Sequence, residues 1–137
     1  MKVYDSTRLE DAIRELLVSA GVCERAYSGR PKSKVQENAF AVVTLTDSIM
    51  DADTYADTHL GIHLFARDVE SEKNGRKLSY MQKMLEDCIP AEMDVMEDGE
   101  VVDSYIIDLN PLILPDVADD YGFHARILDF TITIKNK

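Results

Sequence analysis

The sequence predicts an α+β fold in two layers, with two helices packed on one face of a mostly antiparallel sheet of four to five strands. Two observations support this prediction. Two segments repeat apolar residues at helical spacing, and at least four others have the β-branched composition or the alternation of strands. Their order is α-β-β-α-β-β, and 137 residues suit a single domain, which we expect to span residues 1–137.

The first helix is predicted over about residues 7–20. Its apolar stripe consists of Leu9, Ala12, Ile13, Leu16, Leu17 and Ala20, and Gly21 follows as a C-terminal stop. A short strand is predicted between Val22 and Tyr27. Residues 39–46 are apolar and β-branched without a break, which favours a strand that is buried on both faces.

An acidic connection, residues 47–54, leads into the longest predicted strand. Apolar and polar residues alternate over residues 55–67, which is typical of an antiparallel strand with one face on the core. A second helix is predicted from Arg76 to Ile89, and Pro90 ends it.

The last third of the chain predicts strands only. The sequence Glu97-Asp98-Gly99-Glu100 is a hairpin signal between a strand at 93–96 and a strand at 101–109. Pro111 interrupts that strand, and residues 112–114 resume it at a bend or at the edge of the sheet. An acidic loop over residues 117–122 then leads to a closing strand over residues 123–135.

The charge of the chain is strongly negative and unevenly distributed. There are 26 Asp and Glu against 15 Lys and Arg, a net charge of −11, which argues against binding nucleic acid or an anionic membrane over the whole surface. Twelve acidic residues and no Lys or Arg lie between Met84 and Ala125, whereas four basic and no acidic residues lie between Arg25 and Lys34. This asymmetry is consistent with a solvated acidic face, and also with one subunit orienting against the next.

Sequence motifs for catalysis or cofactor binding are absent. There is no glycine-rich phosphate loop, no serine elbow, no Cys-x-x-Cys and no His-Glu-x-x-His. His59 and His63 share a strand face but lie about 13 Å apart at Cα, too far for easy shared ligation of a metal. Cys23 and Cys88 form no disulfide framework, and we expect a reducing compartment. We therefore predict no catalytic residue, no cofactor and no resident metal, and no segment approaches the length of a membrane span.

An acidic cluster before the long strand leaves one alternative open. Asp51 and Asp53 have the spacing of a calcium loop, but Ala56 replaces the required glycine and Ile62 stands where the bidentate glutamate belongs. A weak cation site remains an option. The alternative function is therefore a small ligand-binding or metal-binding domain, or a hydrolase, that uses the acidic region from Asp47 to His59.

The order of these features resembles the tail-terminator, or tail-completion, proteins of long-tailed phages. The resemblance covers nearly the whole chain and rests on element order and hydrophobic pattern rather than on an invariant motif. The segments that support it are the helices, the apolar and alternating strands, and a turn with Tyr and Pro: Leu9 to Ala20, Ala26 to Pro31, Phe40 to Val43, His59 to Arg67, Leu78 to Leu85 and Phe123 to Ile134. Ala39 stands where many members of the family have proline.

The resemblance implies a prophage-encoded structural protein and not an enzyme. Its copies would form a ring, commonly a hexamer, that caps the tail tube and joins it to the head, first in the host cytoplasm and then in the virion tail. DNA would pass through the ring without specific binding, since lumenal carboxylates repel the DNA backbone. The residues expected in loops that face a neighbouring subunit or the lumen are Asp47, Asp51, Asp53, Asp116, Asp119, Asp120 and Tyr121.

Overall fold

The computed structural model describes residues 2–3, 7–29, 35–45, 49–50 and 57–135. The two helices are α1 (Thr7–Ser19) and α2 (Gly75–Cys88). The strands are β1 (Lys2–Val3), β2 (Arg25–Tyr27), β3 (Ala39–Leu45), β4 (Ile49–Met50), β5 (Asp57–Arg67), β6 (Glu92–Glu97), β7 (Glu100–Ile107), β8 (Leu112–Ile113), β9 (Val117–Ala118) and β10 (Phe123–Lys135). Both helices and the main strands therefore form close to where the sequence pattern predicts them.

One large sheet dominates the described part of the chain. Its strand order is β2-β3-β5-β10-β7-β6, and β8 and β9 also pair with β10, which makes eight strands. The longest pairing is antiparallel, between β10 and β5, from Phe123 opposite Arg67 to Thr133 opposite Asp57. Only β2 and β3 are parallel neighbours. β1 and β4 form a separate two-stranded sheet.

The predicted arrangement, two layers with both helices packed on one face of a sheet of four to five strands, is wrong because the sheet is neither that small nor a single layer. The sheet is larger, and it curls into a half-barrel with two helices rather than lying as one layer. β2, at the predicted short strand, extends one end. β8, where the sequence predicted a resumed strand at a bend or edge, and β9, within the predicted acidic loop, both extend the pairing along β10. Residues 49–50, within the predicted connection 47–54, form β4.

Helix α1 ends as its sequence predicts and then contacts both ends of the sheet. Gly21 has a φ of 80°, and the N–H of Val22 donates to Leu17 O at 2.9 Å while that of Gly21 donates to Val18 O at 3.1 Å. These two bonds are the Schellman arrangement, which needs a left-handed residue at this position. The helix packs against β2 and β3 at one end of the sheet and against β6 at the other.

The main core lies between the helices and one face of the sheet, which we call the helix face. Both helices contribute apolar stripes, and the sheet contributes alternate residues of its central strands. The fully buried members include Leu17, Ile62, Leu64, Leu85 and Ile132. Cys23 and Cys88 are free thiols that pack in this core, and burial raises the pKa of Cys23 to about 11.

A second, smaller cluster lies on the opposite face, which we call the outer face. The rings of Phe40 and Phe65 stack at 4.5 Å, and Phe123 meets Phe40 edge-on at 5.1 Å. The guanidinium of Arg67 lies 4.6 Å from the Phe123 ring and donates to Val35 O at 2.9 Å. The alternation of β5 thus predicts its helix face correctly, but part of its other face is buried rather than exposed to solvent.

Removal of core volume at the end of α1 should destabilise the whole protein. We expect Leu17→Ala to lower the free energy of unfolding by about 2–5 kcal/mol, because the site is fully buried. Its neighbour Val18 is 43% exposed, so Val18→Ala should change stability by less than about 0.5 kcal/mol. Urea denaturation of both variants measures the difference, and equal losses would contradict this account of the core.

Candidate interaction surface

The chain segment after β7 follows β10 as one irregular edge strand. The N–H of Asp108 donates to Thr131 O at 2.9 Å, Leu112 lies opposite Asp129, the N–H of Leu114 donates to Ile127 O at 3.0 Å, and Val117 lies opposite Ala125. Pro111 and Pro115 divide this strand into short pieces, because proline has no N–H to donate to a ladder. In the described part of the chain, β8 and β9 pair only with β10, so their other side is an open edge.

Five of the eleven exposed large hydrophobic side chains among the described residues lie in this segment. Leu112 is 62% exposed and Leu114 38%. Because residues opposite each other on antiparallel strands share a face, Leu112 lies on the outer face with Asp129. We call the exposed residues Leu109, Leu112, Ile113, Leu114 and Val117 the apolar edge. Contiguous exposed apolar side chains on a strand edge are typical of a site that docks another chain.

A partly buried ion pair holds the apolar edge against the sheet. Asp116 accepts from Nε and Nη2 of Arg126 at 2.7 and 2.8 Å and from Nζ of Lys73 at 3.1 Å. The hydrogen bonds from Arg126 lower the pKa of the Asp116 carboxyl to about 2, and its side chain is 10% exposed. Asp116 therefore links β10 and the start of α2 to the loop between β8 and β9.

The other residues predicted for subunit or lumen loops divide into two groups. Asp119 closes the turn before β10, since its Oδ1 accepts from the N–H groups of Tyr121 and Phe123 at 2.8 and 3.0 Å. Asp120 and Tyr121 are exposed at the same turn, close along the chain to the apolar edge. Asp47, Asp51 and Asp53 lie outside the described residues, and their predicted role stays a prediction.

A shallow groove on the outer face gathers polar side chains beside the apolar edge. It is lined by Thr44, His59, Gly61, His63, Leu114, Ile127 and Asp129, with a volume of about 250 Å³. Nδ1 of His59 lies 3.2 Å from Oδ1 of Asp129, and burial lowers the pKa of His63. A Cβ at residue 61 would lie 2.7 Å from Oγ1 of Thr44. The groove therefore exists because residue 61 is a glycine and has no side chain to fill it.

The groove lacks the ligand set of a metal site. Among the described residues, no three His, Cys, Asp or Glu side chains are placed to hold one ion. A larger pocket, of about 710 Å³, lies between α1 and β2 and is open, with Asp11, Arg14 and Arg25 in its lining.

Neither helix of the described chain is long and apolar enough to cross a membrane.

Sequence patterns missed three polar contacts of β10. Arg126 and His124 lie on the face of β10 whose other residues are apolar. Their position on that face is the feature of the sequence that could have indicated polar partners for them. His124 Nδ1 lies 2.6 Å from Oδ1 of Asp68, and Arg126 bonds Asp116. The partner of His59, Asp129, is 70 residues away in sequence, and no local pattern reveals it.

Comparison with known proteins assigns no family. No protein-family model matches the chain. No curated protein matches its sequence at a significant level.

The Asp116 ion pair should make stability depend on pH at the acid end. Because the pKa of this carboxyl falls from 3.8 to about 2 on folding, it stabilises the fold above pH 4, by about 2 kcal/mol, and this contribution is lost as the pH falls through about 2. Asp116→Asn should therefore unfold more easily at pH 6, and its deficit should shrink between pH 4 and pH 2.

The exposed Asp120 provides a matched control in the adjacent turn. Asp120→Asn should leave the free energy of unfolding at pH 6 within about 0.5 kcal/mol of the wild type. Urea titrations at a series of pH values measure both variants. A deficit for Asp116→Asn that is the same at pH 2 and pH 6 would contradict the assigned role of this carboxylate.

Proposed function

We propose that this protein is a structural assembly subunit that docks other protein chains at its apolar edge. The observation that supports this most is the open edge of β8 and β9, where Leu112, Ile113 and Val117 are 62%, 45% and 50% exposed. Exposed edges with apolar side chains favour pairing with another chain, and proteins that do not use such edges usually cover or charge them. The ion pair at Asp116 supports the proposal further, because it pre-organises the edge before any partner arrives.

The specific form that we propose is a subunit resembling a phage tail terminator, which caps the tail tube and joins it to the head. The order of helices and strands along the chain supports this form, together with the acidic charge. The negative charge of Asp116 is compensated by Arg126 and Lys73, whereas Asp120 is exposed. Of these two aspartates, Asp120 is therefore the one that we expect to repel DNA in a lumen.

Labelling of particles tests this specific form. A gold-labelled antibody against the chain should mark one position on each tailed particle, at the junction of head and tail, in a lysate of the induced source strain. An antibody against a bacterial cytoplasmic protein is the control and should mark no particle. Tailed particles that never carry the label, in a lysate where the chain is abundant, would contradict the proposal.

The groove around Gly61 supports a second candidate function at His59 and Asp129, the binding of a small ligand, or of a metal ion whose remaining ligands lie outside the described residues. The carboxylate beside Nδ1 of His59 is the arrangement that orients a metal-bound histidine, and burial lowers the pKa of His63, which favours its neutral form. The Asp47 to Asp53 part of the alternative lies outside the described residues. Only two histidines and one carboxylate line the groove, which is why we place this function second.

Calorimetric titration with Zn²⁺ separates the two functions. If the protein is an assembly subunit, the wild type and His59→Ala should give the same heat of binding, because no site depends on that ring. His124→Ala is a matched control, since His124 also faces a carboxylate but lies away from the groove. Micromolar zinc binding that only His59→Ala abolishes would favour the metal site instead.

A further inference from the structure

The geometry points to a specific occupant of the open edge: we infer that β2 of a second copy pairs with residues 112–114, so that the sheet continues from one copy into the next. The inference rests on the proposed assembly function and adds which surfaces meet. β2 lies at one end of the strand order and pairs, in the part of the chain that the structure describes, only with β3. Among the described strands of this sheet, β2, β6, β8 and β9 are each paired on one side only, and β2 and β8 lie on opposite sides of the sheet.

The backbone of Ile113 is directed towards the open side. The N–H of Leu114 donates inward to Ile127 O. Because hydrogen-bonding direction alternates from residue to residue in an antiparallel ladder, the N–H and C=O of Ile113 point outward. An added strand would bond to these two groups without disturbing any bond to β10.

The lengths of the two edges match. Pro111 and Pro115 bracket a window of three residues, 112–114, because neither proline donates a backbone hydrogen bond. β2 is also three residues long, Arg25–Tyr27. A longer strand would meet a proline at one end of the window, so the prolines select a short partner and prevent unlimited edge pairing.

The side chains of the two edges are also complementary. Arg25 and Tyr27 lie opposite Phe40 and Val42, and so project from the outer face, as Leu112 does. In a continued sheet the Tyr27 ring would lie beside exposed leucines, and aromatic–aliphatic neighbours across strands stabilise pairing. The Arg25 side chain is 65% exposed, with Glu37 of its own chain 3.8 Å away, and it would also approach an edge that belongs to the acidic part of the chain.

Charge disfavours the symmetric alternative, in which two apolar edges pair with each other. No Lys or Arg occurs between Met84 and Ala125, so two such edges would bring together acidic residues such as Asp108 and Asp120. Pairing of β2 with β8 instead joins two different surfaces. A heterologous contact of this kind closes into a ring when its rotation permits and otherwise gives a filament.

A mixing experiment with two variants tests the contact. Ile113→Pro removes the outward N–H, and Arg25→Glu reverses the charge at the β2 edge. Each variant alone should need at least about tenfold more protein than the wild type to associate, as measured by sedimentation velocity. An equimolar mixture should form 1:1 dimers, because each variant keeps the edge that the other has lost.

Ile113→Ala is the matched control, since it removes the side chain but keeps the N–H. It should shift the association midpoint less than about threefold, and circular dichroism should show every variant folded. If Ile113→Pro does not fold, Leu112→Asp replaces it, with Tyr80→Asp as its exposed control on α2.

Three results would overturn the inference: a wild type that stays monomeric at every concentration, an Ile113→Pro variant that associates like the wild type, or a mixture that forms no dimers. Each of these leaves the particle-labelling result for the tail-terminator form unaffected. The two proposals therefore fail independently.

Discussion

The pairing of β10 is the constraint on which the rest of the surface depends. One edge of this strand bonds β5 over eleven residue pairs, and the other edge bonds β7, β8 and β9 in succession. The second set is broken by Pro111 and Pro115, so the segment has few ladder bonds of its own. Asp116 compensates for this by fixing the segment to Arg126 and Lys73, which makes an apolar edge possible on a strand that would otherwise fray.

The same architecture separates the two faces of the sheet. The helix face is occupied by both helices, and α1 contacts the sheet at β2 and again at β6. Among the described residues, the aromatic cluster covers the outer face near Phe40, and the groove at Gly61 and the apolar edge follow beyond it. Since the helices occupy one face, the exposed apolar side chains on the outer face and at the edge are the ones available to a partner.

Local patterns predicted the elements but not their assembly. Both helices, the buried strand β3, the alternating strand β5, the hairpin of β6 and β7 and the closing strand β10 form near their predicted positions, because each depends on periodicity or turn residues within a few positions. The number of strands in the sheet and its curl depend on pairings such as Phe123 with Arg67, which no local pattern encodes. The fold class was wrong for that reason.

The candidate surface was predictable only in part. The prolines and the resumed strand at 112–114 indicate an edge, and the structure confirms that edge. The exposure of the edge and the ion pair of Asp116 with Arg126 depend on contacts between residues that are distant in sequence. Asp116 is predicted as a loop residue at an interface or lumen, and in the structure it lies in the loop between β8 and β9 and forms a partly buried ion pair.

Amide hydrogen exchange at Ile113 is the most direct test of the central claim, that this edge is open in the single chain and covered on assembly. At a concentration where the chain is monomeric, the account predicts rapid exchange at Ile113 and slow exchange at Leu114, whose N–H donates to Ile127. At concentrations where the chain associates, the Ile113 amide should become protected by at least about tenfold. An Ile113 amide that is as protected as Leu114 in the monomer, or that remains unprotected in the assembled state, would contradict the account.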